Sequence, residues 1–281
     1  MNFEQFVQTS GLLPRQIIAD GRIHRCGTVN HPRSTNGAYM YAGDHGWCMS
    51  WEESDEVKWW SSNQEKQVSE YDKKLWLEQK KKLENQRKKA QQEAAKNASV
   101  LLSKCHLHDH PYLKSKQLPN EFGLVYEDGS LFIPMSNCTT NLLTGLQKIY
   151  WSETEEKFIK KFIPGMRASE SIYKIGQGKK HILVEGYATG LSVYMAARKL
   201  NLDVSIVCCF SANNVVNVAK KLGNYIMTDN DISKAGEKSA IKTGLPWCMP
   251  DKQGFDFNDV HANEGIFEVC KSLQGLIRKV A

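Results

Sequence analysis

The sequence predicts an α/β protein whose C-terminal part, residues 179–281, forms a parallel sheet flanked by helices. Short apolar runs predict three strands, and segments with helical spacing predict two helices between them; in chain order these are residues 181–184, 191–200, 204–210, 215–222 and 224–231. Strands and helices that alternate at this spacing require crossover connections, which make the strands parallel. Ligands of such sheets bind beyond the carboxyl ends of the strands.

Acidic residues lie at the ends of two of the predicted strands. Glu185 and then Gly186 come directly after the first strand, and the third strand ends in Asp229-Asn230-Asp231. Residues two apart on an extended strand point to the same side, so we expect both aspartates to face Glu185. Clustered carboxylates suit Mg²⁺ or Mn²⁺, and the chemistry that this favours is phosphoryl or nucleotidyl transfer. The alternative for each acid alone is a solvated loop residue.

Longer motifs connect these positions to a known family. The chain reads Val-Glu-Gly-Tyr-Ala-Thr-Gly-Leu-Ser at 184–192, Phe-Ser-Ala-Asn-Asn at 210–214, Thr-Asp-Asn-Asp at 228–231 and Asp-Phe-Asn-Asp at 256–259. Together they resemble the Toprim domain of bacterial primases, topoisomerases and some nucleases, and more narrowly the Toprim primases of phages and plasmids. The similarity extends upstream to segments 110–113, 129–134, 144–147 and 161–165. One departure is Asn214, which stands where a leucine-bearing turn is common in the family.

This resemblance implies a DNA primase, which synthesises short primers on single-stranded DNA from nucleoside triphosphates. It implies that Glu185 binds metal or acts as general base, and that Asp229 and Asp231 hold one or two Mg²⁺ or Mn²⁺ ions. Asp256 is a further metal ligand or, equally well, a helix cap. No Gly-x-x-x-x-Gly-Lys-Ser/Thr sequence occurs, so a separate replicative helicase is the expected partner. The alternatives are a Toprim nuclease and a non-catalytic scaffold that binds single strands.

Residues 101–178 are predicted to form a small basic α+β subdomain of the catalytic core, with a mostly antiparallel sheet beside the Toprim sheet. The resemblance implies that this part supplies cations for triphosphates and template. The residues expected to bind nucleotide or template are Lys116, Arg167, Lys174, Gly186, Asn213 and Lys234. We expect the histidine-rich stretch 105–110 to be a solvated loop, because its ligands are too closely spaced to wrap a tetrahedral metal site.

Residues 1–62 are predicted to form a separate β-rich module that binds the template, preceded by a helix over residues 3–13. Aromatic and basic side chains alternate in it, as stacking on bases and pairing with phosphates require. The residues expected to contact DNA are Arg22, Arg25, Tyr41, Trp47 and Trp51. Primases commonly carry zinc in this position, and a set of Cys26, His31, His45 and Cys48 is conceivable. Paired Cys-x₂₋₄-Cys knuckles are absent, so we expect a zinc-ribbon-like module without metal.

Residues 63–100 are rich in Lys, Glu, Gln and Ala and predict one long charged helix over 63–97 that links the two parts, the alternative being a charged tether. The whole chain of 281 residues has a formal net charge of +6, which is compatible with nucleic-acid binding. Its eight cysteines form no closely spaced framework, and neither a signal peptide nor a membrane span is evident. We therefore expect a protein of the bacterial host cytoplasm that does not bind membranes.

Overall fold

The computed structural model describes residues 1–51, 57–62, 70–118 and 120–278 and divides into two compact units, Met1–Lys82 and Leu83–Ala281. The smaller unit contains a five-stranded antiparallel sheet in which neighbours in sequence are neighbours in space. Its elements are α1 (Phe3–Thr9), β1 (Leu12–Leu13), β2 (Ile23–Thr28), β3 (Gly37–Tyr41), β4 (His45–Ser50) and β5 (Lys58–Ser61). The helix α2 (Glu70–Ser103) runs across the boundary between the units.

Helix α1 is shorter than the sequence predicted. Asn2 caps it, with its side chain accepting a hydrogen bond from Gln5 N–H. The helix ends at Thr9, and Gly11 adopts a left-handed φ of 75°. The predicted extension to residue 13 is wrong, because Leu12 and Leu13 pair with β2 as a strand. Leu12 then packs into an apolar core that it shares with α1 and the sheet.

The larger unit is a mixed α/β structure, which confirms the predicted fold class at that level. Its remaining elements are β6 (His106–His108), α3 (Pro111–Ser115), β7 (Gly123–Val125), β8 (Leu131–Asn137), β9 (Leu143–Ser152), β10 (Lys157–Phe162), β11 (Ser171–Ile175), β12 (Lys180–Val184), α4 (Tyr187–Lys199), β13 (Val204–Cys208), α5 (Ala212–Leu222), β14 (Tyr225–Met227), α6 (Ala235–Thr243), β15 (Trp247–Cys248), α7 (Phe257–Glu264) and α8 (Ile266–Arg278).

Four parallel strands lie in the order β13-β12-β14-β15. Strand β11 pairs antiparallel with β13 on one side and with β8 on the other, so the antiparallel strands continue the same ten-stranded sheet. The prediction of a separate antiparallel sheet beside the parallel one is therefore wrong. The physical reason is that β13 would otherwise be an edge strand with unpaired backbone groups, and β11 satisfies them.

Helices cover both faces of the parallel strands. On β12, Ile182 and Val184 pack against α4, α7 and α8, while Leu183 packs against α5 and α6. Because both faces are buried, β12 has three consecutive apolar residues, 182–184, and β13 has another three, 206–208, instead of an alternation with polar residues. This explains why β12 is recognisable in the sequence as a continuous apolar run.

Two other segments differ from the predictions. The stretch 105–110 is not only a loop: His106–His108 pairs with β7, and His110 caps α3 through Nδ1 while Nε2–H donates to the Gly129 carbonyl. The charged helix extends to Ser103, beyond the predicted end, because Ala98 packs against Phe132 and Leu146. Its predicted first residues, 63–69, lie outside the described residues. In the described part of the chain, no helix is both long and apolar enough to span a membrane.

Candidate functional site

Glu185 and Asp229 lie at the same edge of the parallel sheet. Glu185 directly follows β12, and Asp229 lies two residues after the adjacent strand β14 ends at Met227. A Cβ added to Gly236, in the first turn of α6, would lie 3.2 Å from Oε1 of Glu185 and 2.7 Å from the carbonyl oxygen of Asp229. The first turn of α6 thus closes against both acidic residues, and a side chain at position 236 would displace them.

The pKa values of both acids are raised. Burial is the main cause for Glu185, and the Asp231 carboxylate adds to it; the backbone N–H of Ala212 opposes both. Burial raises the pKa of Asp229 to about 8, with further contributions from Glu185, Asp256, Asp231 and Asp259. Desolvation and neighbouring negative charge both disfavour the ionised form. The two groups are therefore electrostatically destabilised as carboxylates unless a positive charge joins them.

Two buried oxygen atoms at this edge, Oε1 of Glu185 and Oδ1 of Asp229, accept no hydrogen bond from any residue that the structure describes. Buried polar atoms are nearly always satisfied, so this pair indicates a missing partner. A hard cation fits, since Mg²⁺ is typically held by one or two carboxylates and completes its shell with water and phosphate oxygens. Across the described ranges, no group of three or more His, Cys, Asp or Glu side chains is placed to hold a metal ion. The fit is therefore to a site with two carboxylate ligands, Glu185 and Asp229.

Neither Asp229 nor Asp231 lies on a strand, because β14 ends at Met227. The predicted strand end at 229–231 is therefore wrong, and the alternation argument that placed the two aspartates side by side does not apply. The Asp231 carboxylate caps the start of α6: Oδ1 accepts from Ser233 Oγ and from Ala235 N–H at 3.3 Å, and Oδ2 accepts from Gly236 N–H at 3.1 Å. Burial acts to raise the pKa of Asp231, but these hydrogen bonds outweigh it and the pKa is lowered. Asp231 therefore contributes a fixed negative charge next to Glu185.

Asp256 caps α7. Its Oδ1 accepts from the backbone N–H groups of Asn258 and Asp259 at 2.7 and 2.9 Å, and Asp256 N–H donates to Asp259 Oδ2 at 3.1 Å. Of the two roles open from the sequence, the structure shows the cap. Because its charge still raises the pKa of Asp229, Asp256 also belongs to the electrostatic environment of the site.

Two lysines lie near acidic residues of this region. Lys116 Nζ lies 3.9 Å from Asp259 Oδ1. Lys160, on β10, loses hydration to the surrounding protein, which lowers its pKa, while Asp256, Asp229 and Asp259 act in the opposite direction. Lys116 was selected from the sequence and Lys160 was not. Strand alternation is the signal that could have found it, since Lys160 lies on the same face of β10 as Phe158, which packs into the core, and Lys161 on the other.

A buried polar network joins α7 to the backbone at Lys116. Asn258 Nδ2 donates to the carbonyl of Lys116 at 2.9 Å and to Ser192 Oγ at 3.1 Å, and Ser192 Oγ lies 3.0 Å from Nδ1 of His261. Tyr112 is 2 % exposed, and its hydroxyl has no hydrogen-bond partner in the described part of the chain. The network fixes the backbone from which Lys116 projects relative to α7, and none of these four side chains was selected from the sequence.

The other predicted nucleotide-binding residues lie elsewhere or are engaged. Arg167 pairs with Glu170, which also binds Lys221. Lys174 is exposed on β11. Burial and, to a smaller extent, the Lys174 charge lower the pKa of His181, which lies at the amino end of β12, away from the acids.

The remaining three lie at helix starts. Gly186 is the N-cap of α4, and Lys234 precedes α6 in a left-handed conformation with its Nζ 4.0 Å from Glu237. Asn213 is exposed, whereas Asn214 is buried and donates from Nδ2 to the carbonyls of Ser171 and Cys209. The unusual asparagine at 214 therefore ties β11 to the start of α5.

In the smaller unit, the residues predicted to bind DNA separate into two groups. Trp47 is 8 % exposed, and Tyr41 stacks on Phe3 with ring centroids 4.4 Å apart, so both act in packing. Trp51 is 43 % exposed, and the Arg25 guanidinium lies 3.9 Å from the centroid of its ring. Arg22 is exposed as well. Arg22, Arg25 and Trp51 are thus the predicted residues that remain accessible within this unit.

The residues considered for zinc do not fit a zinc site. Cys26 and Cys48 lie in the apolar core, and burial, with a smaller contribution from Cys48, raises the pKa of the Cys26 thiol to about 11. His45 and Cys48 are three apart on β4 and therefore project from opposite faces, so they cannot ligate one ion. His45 instead lies 2.7 Å from Asp44 through Nδ1.

Comparisons with known proteins give little further information. No protein-family profile matches the chain, and no curated protein is significantly similar to it. Among solved structures, the DnaG catalytic core aligns with 53% of this chain at 15% sequence identity and a TM-score of 0.35. The aligned part spans 52% of that structure, about half its length. This similarity is weak, and it does not establish membership of a family.

Proposed function

We propose that the chain is a Toprim-type DNA primase that makes primers on single-stranded DNA by divalent-metal-dependent nucleotidyl transfer. The observation that carries the proposal is the pair of buried carboxylate oxygens on Glu185 and Asp229, without hydrogen-bond partners in the described chain and with raised pKa values. The motifs around them, which resemble those of phage and plasmid primases, support this reaction. The partners are single-stranded DNA, nucleoside triphosphates and a separate replicative helicase.

The acidic and basic residues of the site have different roles. Glu185 and Asp229 would hold Mg²⁺ or Mn²⁺, which would supply activation of the attacking hydroxyl and neutralisation of the leaving pyrophosphate. Asp231 and Asp256 hold negative charge around the pair and keep the first turns of α6 and α7 in place. Lys160 and Lys116 face the same cluster and neutralise triphosphate oxygens as charge moves onto the leaving group. In the free protein these lysines balance the acids instead.

The experiment is primer synthesis on single-stranded DNA with labelled nucleotides and Mg²⁺. The native protein should give short labelled products, and Asp229→Ala should reduce them by about 100- to 1,000-fold, as removal of a central electrostatic group does in other enzymes. Asp203→Ala is the matched control, because Asp203 is exposed and precedes the amino end of β13. It should keep full activity.

Two outcomes would contradict the proposal. Shortening of the DNA by the native protein without nucleotides, lost in Asp229→Ala, would identify a nuclease that directs water at a phosphodiester. Absence of both activities, with single-strand binding retained by native protein and variant alike, would identify a scaffold.

A further inference from the structure

Two phenylalanine rings meet at the edge of the sheet that carries Glu185. Phe162 is the last residue of β10, and Phe210 lies two residues after β13 ends. Their ring centroids are 6.1 Å apart and their planes make an angle of 86°, an edge-to-face pair. The Phe162 side chain is nevertheless 37% exposed, so one part of this aromatic pair faces solvent.

The backbone at Phe210 is unusual for such a residue. Its φ is 66°, in the left-handed region, where a bulky side chain is a true outlier and where glycine or asparagine fits better. Two hydrogen bonds fix it there: Cys209 N–H donates to the Val184 carbonyl at 2.9 Å, and Phe210 N–H donates to the Glu185 carbonyl at 2.7 Å. The same backbone bond that presents the Phe210 ring therefore also holds Glu185, and outliers of this kind cluster at functional sites.

Lys160 lies beside this aromatic pair. It is two residues before Phe162 on β10, so the two side chains leave the same face of the strand about 7 Å apart. The Lys160 ammonium lies 5.3 Å from the centroid of the Tyr112 ring, and the charges of Asp256, Asp229 and Asp259 act to raise its pKa. The Phe162 ring contacts Phe210. One side of the sheet thus carries, in this order, the exposed Phe162 ring, the Lys160 ammonium and the carboxylate pair of Glu185 and Asp229.

We propose that the Phe162 ring, supported by Phe210, is the stacking surface for the base of the incoming nucleoside triphosphate, whose phosphates lie against Lys160. This inference rests on the proposed function and adds a base-binding surface to it. The arrangement fits this ligand, because a nucleotide carries its aromatic base at one end and its negatively charged phosphates at the other. The base matches the Phe162 ring, and the phosphates match the positive charge of Lys160. Every base presents a π-face, so stacking on Phe162 tolerates all four nucleotides, as a primase requires.

The test separates the base from the phosphates. Binding of ATP and of inorganic tripolyphosphate, both with Mg²⁺, is measured by calorimetry for the native protein, Phe162→Ala and Phe162→Trp. Loss of base stacking should weaken ATP binding by about 10-fold or more in Phe162→Ala while tripolyphosphate binding stays within about twofold. Phe162→Trp keeps a stacking surface and should bind ATP as tightly as the native protein.

Phe267→Ala is the matched control. Phe267 on α8 is 70% exposed and has the Lys199 ammonium 5.6 Å from its ring centroid, so it is also a phenylalanine beside a lysine. Its removal should leave ATP binding unchanged. Thermal midpoints of all variants are compared, and the conservative Phe162→Leu keeps apolar packing with Phe210 if Phe162→Ala is destabilised. Phe162→Leu should also lose affinity for ATP but not for tripolyphosphate.

Three results would overturn the inference. Unchanged ATP binding in Phe162→Ala, or equal loss of ATP and tripolyphosphate, would show that the ring does not hold a base, and the proposed function would stand. Weakened binding of a thymidine oligonucleotide with unchanged ATP binding would assign the ring to the template. Failure of the native protein to bind either ATP or tripolyphosphate would refute the nucleotide site itself, and the proposed function with it.

Discussion

The two units of the chain bury titratable side chains in opposite ways. In the smaller unit, Cys26 and Cys48 lie in an apolar core, and burial raises the pKa of both thiols, so they stay neutral. A neutral thiol behaves as a small apolar group, and its burial costs little. In the larger unit, Asp229 is held at a pKa of about 8 and has a buried oxygen that no described group satisfies. Burial alone therefore does not mark a site, whereas burial of an unsatisfied acid does.

Enlarging Gly236 should have the largest effect among the changes that test this difference. A Cβ there would lie 2.4 Å from Thr228 Oγ1 and 2.7 Å from the Asp229 carbonyl, so Gly236→Ala must shift the acid pair. A displacement of about 1 Å in a catalytic site can reduce activity by about 100-fold, and we expect a loss of that order in primer synthesis. Gly275→Ala on α8, where nothing lies within 4 Å of the added carbon, should keep full activity. Equal activity of the two variants would mean that the acid pair is not the catalytic centre.

Neighbouring lysines on one strand sharpen the comparison further. Lys160→Gln removes the charge that faces Asp229 and Asp256, and we expect the KM for nucleotides to rise by about 10- to 100-fold, the usual value of a charge-assisted contact. Lys161→Gln changes the next residue, which projects from the opposite face of β10, and should leave the KM within about twofold. Steady-state kinetics at varied nucleotide concentration measures both. A similar rise in the two variants would indicate a general loss of positive surface charge.

A smaller effect concerns stability in the absence of metal. The folded-state pKa of Asp229, about 8, lies above its ordinary value of 3.8, so the protonated acid stabilises the fold. This contribution is complete below about pH 4 and is lost as the pH rises through about 8, by at most about 1.4 kcal/mol per pH unit. The thermal midpoint of the metal-free protein should therefore fall between about pH 5 and 8, and Asp229→Asn should flatten this part of the curve. Mg²⁺ should restore the midpoint of the native protein at about pH 8 but not that of the variant. A midpoint independent of pH in the native protein would contradict the assignment.

Treatment with a zinc chelator should have no effect on stability or on DNA binding. Since Cys26 and Cys48 are neutral core residues and His45 projects away from Cys48, removal of zinc by a chelator should leave the thermal midpoint and single-strand binding of the whole protein unchanged. Zinc content is measured on the same sample by atomic emission. A midpoint that falls on chelation and recovers with zinc would place a metal in the smaller unit after all.

The sequence was informative where local rules determine the structure. Apolar runs that end at an acid predicted β12 and the position of Glu185, because a strand buried on both faces leaves a clear signal. It was not informative where tertiary contacts decide. The chain leaves the strand before Asp231, whose carboxylate binds the start of α6. Strand β11 joins the two predicted sheets, because an edge strand needs a hydrogen-bonding partner. Strand alternation places Lys160 on the same face of β10 as Phe158, but only the tertiary structure brings this face towards the acids.

Binding of Mn²⁺ tests the central claim most directly. It is measured by electron paramagnetic resonance on the native protein, Asp229→Asn and the control Asp203→Asn, without nucleotide or DNA. If the buried acid pair is a metal site, the native protein and Asp203→Asn bind Mn²⁺ and Asp229→Asn loses this binding by about 100-fold or more. Equal Mn²⁺ binding by the native protein and Asp229→Asn, or none by either, would contradict it.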